Sequence, residues 1–316
     1  MSATRVKALR DALKQAGYDG WIQPRADEYL GEYVPPSAER LAWLTGFTGS
    51  AGVAIVLAEH AALFVDGRYT VAVREQVDAR CFAIHHLIDT PQIPWLLEQL
   101  PAGARVGCDP RLHTLSWFNA AKTALSGQAI ELVASTDNLI DQCWDERPEP
   151  VVTPALLLDE SYTGQSSAAK RERLGAALSR RSADAALVFQ CDAVSWLLNV
   201  RGTDMPQLPV LQSLALAHAD GAVDLFVAQA RIPEGFAEHV GSGVTVHAEA
   251  SFREVARHYH GMKVLVDPAG VNAYAALTLE EAGATVVYGE DPVSLAKACK
   301  NAVEQAGSRA AHRRDA

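Results

Sequence analysis

Residues 42–69 read AWLTGFTGSAGVAIVLAEHAALFVDGRY, and they carry the clearest signals of the fold. Two apolar segments, at about 52–57 and 61–66, flank a tight turn at Glu59-His60 and predict a pair of adjacent strands. The glycine-rich segment before them predicts a tight turn with a bulge. The polar sequence Asp-Gly-Arg-Tyr ends the second strand, where a helix is expected to begin.

Strands and helices alternate on both sides of this hairpin. The first helix is predicted from Val6, Leu9 and Leu13, which share one helical face. Further on, Thr114 is placed to cap a helix, and a long helix is predicted at about 166–181. The alternation predicts an α/β fold, in which mixed β-sheets are flanked by helices.

A proline-rich segment predicts a domain boundary. Residues 147–154 read RPEPVVTP, which excludes a helix and favours an extended linker. We therefore expect a first domain at 1–150 and a second at 151–291. Residues 292–316 are predicted to form one final helix, which leads out of the second domain.

The two predicted domains repeat one plan. Asp66 precedes Asp109 by the same spacing at which Asp224 precedes Asp267, and both later aspartates precede a proline at a strand end. Trp-Leu pairs begin at Trp43 in the first half and at an equivalent tryptophan in the second. The pattern predicts a duplicated α/β unit, because a solenoid would need three or more shorter repeats.

Bulk composition restricts the possible functions. The chain has 316 residues and a net charge of −10, which argues against a general nucleic-acid or anionic-membrane binder. No apolar run is long enough to span a membrane, and no signal peptide is evident at the start. The five cysteines are scattered and form no C-x-x-C pair, so reduced thiols in a cytoplasmic protein are expected.

A search for chemistry finds no complete catalytic group. The pairs His85-His86 and His258/His260 point in divergent directions on a strand and a helix end, and no carboxylate accompanies them at metal-ligand spacing. The glycines at 46, 49 and 52 precede a strand, whereas a phosphate-binding loop opens a helix. Ser50 lacks the strand-to-helix elbow of a nucleophile. Neither a catalytic residue nor a metal ligand is therefore predicted.

Four polar residues are candidates for a substrate-facing surface: Arg68, Asn199, Arg201 and Asp204. Arg68 either faces a ligand or lies at the surface near Asp66, which would then cap the following helix. The other three follow an apolar Trp-Leu-Leu segment. They form either a network that stabilises a loop or a surface that contacts substrate, and the sequence leaves both open.

Several motifs, in order along the chain, resemble the three-domain Xaa-Pro aminopeptidases, known as aminopeptidase P, of the creatinase/prolidase metallopeptidases. Residues 39–52 (ERLAWLTGFTGSAG) and 65–69 (VDGRY) are similar to their first domain. Residues 137–148 (DNLIDQCWDERP) resemble its exit, and residues 196–204 (WLLNVRGTD) resemble the second domain. Residues 297–315 are similar to the helix that leads into the third domain.

The resemblance implies two creatinase N-terminal-like domains and places catalysis outside this sequence. In that family the third domain holds two divalent metals, usually manganese, which activate a water to attack the bond before proline. None of those ligand segments occurs here, so the chain alone is expected to be inactive. The resemblance also implies a homodimer that acts on peptides with proline in second position.

Two hypotheses about function follow. In the first, the chain is the N-terminal portion of an Xaa-Pro aminopeptidase, and it shapes the substrate cleft and supports dimer assembly. Arg68, Asn199, Arg201 and Asp204 are then expected to approach the cleft. In the second, it is a stand-alone module that binds a peptide or protein and has no enzymatic activity.

Overall fold

The computed structural model describes residues 2–316. The chain divides into two compact units, Met1–Pro150 and Val151–Ala316. Each unit has its own β-sheet and its own hydrophobic core, so each is described by itself.

The first unit alternates strands with helices. Its strands are β1 Gly20–Pro24, β2 Gly52–Leu57, β3 Ala61–Val65, β4 Ala83–His86, β5 Arg105–Cys108 and β6 Glu131–Ala134. Its helices are α1 Ser2–Ala16, α2 Arg40–Thr45, α3 Ala72–Gln76, α4 Gln92–Gln99, α5 Leu115–Ser126 and α6 Leu139–Cys143. The strands predicted at about 52–57 and 61–66 are confirmed.

A mixed sheet with the order β4-β3-β2-β1-β5-β6 forms the centre of this unit. β2 pairs antiparallel with β1 and β3, and the other neighbours are parallel. Helix α1 packs on the core through Val6, Leu9 and Leu13, as its periodicity predicts. Thr114 caps α5 by accepting a hydrogen bond from the Trp117 N–H, and the cap prediction is confirmed.

The glycine-rich segment differs from the prediction at its start. Residues 40–45 form helix α2, which the sequence did not predict. A helix of only six residues shows little periodicity, and its first residue, Arg40, is a charged residue that is buried. Gly46 then ends the helix with φ of 86°, a conformation that favours glycine. The predicted bulge is therefore replaced by a helix end.

The second unit has the same order of strands and helices over most of its length. Its strands are β7 Leu156–Leu157, β8 Ala185–Val188, β9 Val200–Arg201, β10 Leu214–His218, β11 Val223–Phe226, β12 Val244–His247, β13 Lys263–Val266 and β14 Thr285–Tyr288. Its helices are α7 Glu160–Thr163, α8 Ser167–Arg180, α9 Cys191–Leu198, α10 Phe236–Val240, α11 Phe252–Val255, α12 Ala273–Glu281, α13 Pro292–Ala298 and α14 Ala302–Asp315.

The second sheet has the order β12-β11-β10-β8-β13-β14, which repeats the topology of the first. In this sheet β8 pairs antiparallel with β10 and parallel with β13, as β1 pairs with β2 and β5 in the first sheet. The duplication predicted from the sequence is therefore confirmed. A separate ribbon of β7 and β9 accompanies the second sheet.

Strand register identifies equivalent residues and corrects one anchor of the predicted repeat. Asp109 and Asp267 both follow the strand that pairs parallel with the central strand, so they are equivalent. Asp224 lies within β11, where the register aligns it with Ala62. The equivalence of Asp224 with Asp66 was wrong, and the matching spacing is a coincidence produced by different loop lengths.

The final segment is also two helices where one was predicted. α13 ends at Ala298, and α14 begins after Asn301, whose side chain accepts a hydrogen bond from the Glu304 N–H. Glu304 in turn accepts from the Asn301 N–H, which completes a capping box. The Asn-x-x-Glu pattern at 301–304 indicates a new helix start. The apolar periodicity continues across this break, so it predicted a single helix.

Candidate functional site

Arg68 lies in the first unit, in a single 3₁₀ turn directly after β3. Its Nη2 is 2.7 Å from Oδ2 of Asp66, and its side chain is 66% exposed. Asp66 also caps the turn by accepting the Arg68 N–H at 2.9 Å. The hydrogen bond from the Arg68 side chain holds the pKa of the Asp66 carboxyl below its ordinary value. Arg68 is therefore a neutralised cation at the surface.

Asn199 lies in the second unit and ends helix α9. It is buried and adopts a φ of 56°, which is the left-handed region that asparagine tolerates. Its Oδ1 accepts a hydrogen bond from Lys170 Nζ at 2.7 Å, and its Nδ2 donates to the Gln165 carbonyl at 2.8 Å. Both ends of the amide are occupied, so Asn199 holds α9 against the chain that precedes α8.

Lys170 is the buried cation at the centre of this arrangement. It lies on α8, and its Nζ is 4.0 Å from the centre of the Trp196 ring while it donates to the Trp196 carbonyl at 2.9 Å. Burial lowers the pKa of the Lys170 ammonium to about 8. Trp196 Nε1 donates to Oε1 of Glu304 at 2.9 Å, so the tryptophan also anchors α14. The sequence search did not select Lys170, because its partner lies 26 residues away.

Arg201 differs from the other candidates in its partners. It is half-buried on β9, and its Nη1 donates to the Val200 carbonyl at 2.8 Å and to the Ser195 carbonyl at 3.4 Å. Within residues 2–316, no carboxylate lies within ion-pair distance of it. Burial lowers the pKa of the Arg201 guanidinium. It is a partly accessible cation without a neutralising anion in direct contact.

Asp204 is buried and belongs to a network inside the second unit. Its Oδ1 accepts from the Thr153 N–H at 2.7 Å and from Thr153 Oγ1 at 2.6 Å. Its Oδ2 is 2.6 Å from Nε of Arg231, which also contacts Glu249. Gly202 permits the chain to pass here, because a Cβ on it would lie 2.0 Å from the Val210 carbonyl oxygen. Arg231 carried no sequence signal.

A second polar cluster in this unit was also missed from sequence. Asp224 accepts hydrogen bonds from Tyr259 OH at 2.6 Å, and its two oxygens lie 3.1 Å from His218 Nε2 and 2.7 Å from His247 Nε2. Burial would raise the pKa of the Asp224 carboxyl, but these hydrogen bonds outweigh it and hold the pKa below its ordinary value. The aligned position in the first unit is Ala62, so the cluster belongs to one copy only.

The structure thus brings Asn199 and Arg201 together around α9 and β9, and it places Asp204 in the adjoining loop. Arg68 belongs to the other unit. Asn199 and Asp204 make internal hydrogen bonds, whereas Arg201 and Arg68 retain access to solvent. The role of these four residues toward a substrate stays a prediction.

The residues described by the structure offer no metal centre. Within 2–316 there is no group of three or more His, Cys, Asp or Glu side chains arranged to hold a metal ion. The five cysteines are free thiols.

A membrane-spanning helix is likewise not found in the described part of the chain, where none is both long and apolar enough.

Comparison with protein families gives two matches along the chain. A sequence profile described as the Creatinase/Prolidase N-terminal domain matches residues 5–143. A second profile with the same description matches residues 146–304. The two matches follow the division of the structure into two units.

Comparison with curated proteins finds Xaa-Pro aminopeptidases. Xaa-Pro aminopeptidase 2 of Homo sapiens is 30% identical over 98% of this chain and 47% of its own length. A probable Xaa-Pro aminopeptidase P of Coccidioides posadasii is 31% identical over 99% of this chain and 50% of its own length. The chain thus spans about half the length of the curated relatives it matches.

A solved structure has the same fold over the whole chain. The X-prolyl aminopeptidase of Caenorhabditis elegans, described as a cytosolic enzyme with a di-nuclear active site, superposes with a TM-score of 0.92 at 26% identity. The superposition covers 100% of this chain and 54% of the nematode chain.

Proposed function

The chain belongs to the creatinase/prolidase N-terminal domain family, and from this premise we propose that it is the non-catalytic N-terminal portion of an Xaa-Pro aminopeptidase. The parent enzyme would remove the N-terminal residue from peptides that have proline in second position. The observation that carries the proposal is the superposition of the entire chain on about half of an X-prolyl aminopeptidase at a TM-score of 0.92.

In this proposal the chain shapes the substrate cleft of the parent enzyme. Arg201 is the strongest candidate to contact a peptide, because it is a half-buried cation whose hydrogen bonds go to carbonyl groups alone. Asn199 and Asp204 would hold the chain segments on either side of Arg201 in place through their internal contacts with Lys170 and Arg231. Arg68 would present a guanidinium from the first unit that is already paired with Asp66.

The reaction itself would be carried out elsewhere in the parent protein. A pair of divalent metals, which we infer to be manganese, would polarise the peptide bond and activate the attacking water. The nematode enzyme is described as having a di-nuclear active site, and residues 2–316 of this chain contain no group of donors arranged to hold a metal ion. Their part is to bind and orient the peptide.

Assembly and location belong to the same proposal. We infer a homodimer of the parent enzyme, to which these two domains contribute, and a cytoplasmic location. The description of the nematode relative as cytosolic and the five free thiols support the location. Sedimentation of the parent protein measures the oligomeric state, and a monomer at micromolar concentration would contradict the dimer.

The first prediction concerns the chain alone. Purified residues 1–316, supplied with manganese, are expected not to release arginine from an Arg-Pro-Pro peptide, and calorimetry should detect no micromolar manganese site. The positive control is the nematode enzyme in the same buffer. Activity well above the blank would overturn the non-catalytic role. A chain that is inactive, but whose gene encodes no metallopeptidase domain after Ala316, would favour the stand-alone binding module.

The second prediction tests Arg201 in the parent enzyme. Arg201→Ala is expected to lower kcat/KM at least about tenfold, because it removes a charged hydrogen-bond donor from the substrate surface. Its melting temperature should change little, since the side chain holds only nearby carbonyls. Arg257→Ala, at an exposed position of the second unit, is the matched control. A loss of stability without a loss of kcat/KM would assign Arg201 to the loop-stabilising network.

A further inference from the structure

A groove of about 600 Å³ runs along the second unit between α8, α9 and α13. Its lining includes Trp196, Lys170 and Ala177, and the exposed side chain of Leu295 lies on its α13 side. A volume of this size accommodates a large side chain with its neighbours, and apolar and aromatic linings are typical of binding grooves. None of the four candidate residues from the sequence lines it.

The first unit shows what the corresponding position holds when it is filled. Strand register makes Arg5 of α1 equivalent to Lys170 of α8, and the side chains behave alike. Arg5 donates to the Trp43 carbonyl with its Cζ 4.9 Å from the Trp43 ring centre, as Lys170 does with Trp196. Trp144, which follows α6, stacks on Trp43 with ring centroids 5.6 Å apart.

The second unit lacks an aromatic residue at that place. α13 corresponds to α6, with Asp291 as the N-cap where α6 has Asn138, and Lys297 stands where the first unit has Trp144. Lys297 pairs with Asp192. Trp144 covers Trp43 in the first unit, whereas no aromatic side chain covers the equivalent Trp196 in the described residues of the second. Trp196 lines the groove instead.

Charge on α8 adds a second feature. Arg173, Ala177 and Arg180 are spaced so that they share one face of the helix, and all three line the groove. Both arginines are exposed, and the Arg180 side chain makes no hydrogen bond or ion pair with any residue in 2–316. The equivalent positions of α1 are Ala8 and Gln15. The cationic pair thus occurs only where the aromatic side chain is missing.

Carboxylate-bearing residues line the other end of the groove. Asp291 Oδ1 accepts the Val293 N–H at 2.8 Å, and Asp267 Oδ1 accepts the Ala269 N–H at 3.0 Å. Glu290 lies beside Arg181, which donates to the Glu290 carbonyl at 3.0 Å. The side of the groove formed by α8 is therefore the side that attracts an anion.

We propose that this groove binds a peptide segment of a partner protein in which a tryptophan is flanked by carboxylates. The tryptophan enters between Trp196 and Ala177, and the flanking carboxylates pair with Arg173 and Arg180. The first unit contains a segment of this chemistry, residues 141–146, which read DQCWDE and place Trp144 against Trp43. The inference does not depend on peptidase activity, and it names a surface distinct from that of Arg201.

The test uses a fluorescein-labelled hexapeptide, Asp-Gln-Ser-Trp-Asp-Glu, and the purified 316-residue chain in fluorescence anisotropy. Saturable binding is expected. Replacing the peptide tryptophan with alanine should weaken it at least about tenfold, which corresponds to the loss of one stacked aromatic contact. Replacing the carboxylates with amides, or raising the ionic strength from about 0.05 M to about 0.5 M, should weaken it severalfold.

Two variants of the chain localise the binding. Ala177→Trp fills the groove from its own wall and is expected to abolish binding. The double variant Arg173→Glu/Arg180→Glu reverses the charge of two exposed side chains, so the fold should be retained, and it should weaken peptide binding at least about tenfold. The matched control is Lys122→Glu/Arg257→Glu, which makes the same charge change at exposed positions away from the groove.

Several results would overturn the proposal. Undiminished binding to Ala177→Trp or to the Arg173/Arg180 variant would place the peptide elsewhere. Equal binding of the alanine-substituted peptide, or full competition by inorganic phosphate, would reduce the site to a simple anion site. Self-association of the chain that Ala177→Trp abolishes would identify a second copy as the occupant. An absence of saturable binding up to millimolar peptide would show that the groove does not bind this peptide, and the proposal would be rejected.

Discussion

Asp27 is a buried carboxyl whose hydrogen bonds come from backbone N–H groups. It lies in the loop after β1, is 2% exposed, and accepts the Gly31 and Tyr29 N–H groups at 2.8 and 3.1 Å. Burial raises the pKa of this carboxyl to about 6, although these hydrogen bonds oppose the rise. The neutral acid is therefore the form that the folded loop prefers at mildly acidic pH.

This pKa predicts a pH-dependent stability. A carboxyl whose pKa is higher folded than unfolded stabilises the fold below its ordinary pKa, and the contribution is lost as pH rises to about 6. Asp27→Asn keeps the hydrogen-bond acceptor and removes the charge. The difference in unfolding free energy between Asp27→Asn and the unsubstituted chain should therefore grow by about 2 kcal/mol, in favour of the variant, as the pH rises from 4 to 8.

Urea unfolding at both pH values measures this change, with exposed Asp137→Asn as the control that should show no such gain. A difference between Asp27→Asn and the parent that is independent of pH would mean that Asp27 is ionised throughout this range.

At the scale of elements, α14 is attached to its unit mainly through its first turn. Asn301 caps the helix and donates from Nδ2 to the Thr163 carbonyl at 2.8 Å, and Glu304 accepts from Trp196. No residue of α14 is buried. A helix of 14 residues with so little packing depends strongly on its cap.

Asn301→Ala is therefore expected to loosen α14 selectively. Loss of the cap costs about 1 kcal/mol, which corresponds to roughly fivefold faster amide exchange in residues 302–315. Exchange in α8 should stay unchanged. Asn301→Asp keeps the capping oxygen but loses the Nδ2 donor to the Thr163 carbonyl, so its smaller effect separates the two contacts. Hydrogen exchange with mass spectrometry measures both variants. Uniform acceleration throughout the second unit would mean that α14 is part of its cooperative core.

At the scale of the whole molecule, each unit contains a complete sheet and core. Residues 1–150 and 151–316 are therefore expected to fold when expressed separately, since no strand of one sheet comes from the other unit among the described residues. Circular dichroism should show native-like α/β content and a cooperative thermal transition for each. A fragment that remains unfolded in isolation would show that its stability depends on the other half.

Much of this architecture could be predicted from local signals. Val6, Leu9 and Leu13 identified the first helix, because helical periodicity is visible in a short window. The Asp-Pro steps at Asp109 and Asp267 revealed the duplication. Asp224 misled the alignment, because equal spacing along a chain does not require equal strand register.

The candidate site was less predictable for a physical reason. Lys170 and Trp196 are joined by a contact across 26 residues, and Asp204 meets Arg231 across 27. Such pairs depend on which faces of separate elements meet, and no local pattern records this. The polarity of Asn199 and Asp204 was visible in the sequence, but whether they point inward or outward was not.

The duplication also divides the contacts of this protein by age. Phe64 stacks on His85 in one copy, and Phe226 stacks on His247 in the other at the same centroid distance of 5.2 Å. A pairing present in both halves was inherited from a single ancestral half before it was copied. The Asp224 cluster and the Trp43–Trp144 stack occur in one half each, so each was gained or lost afterwards. A chain built from two identical halves that keep only the shared contacts is therefore expected to fold.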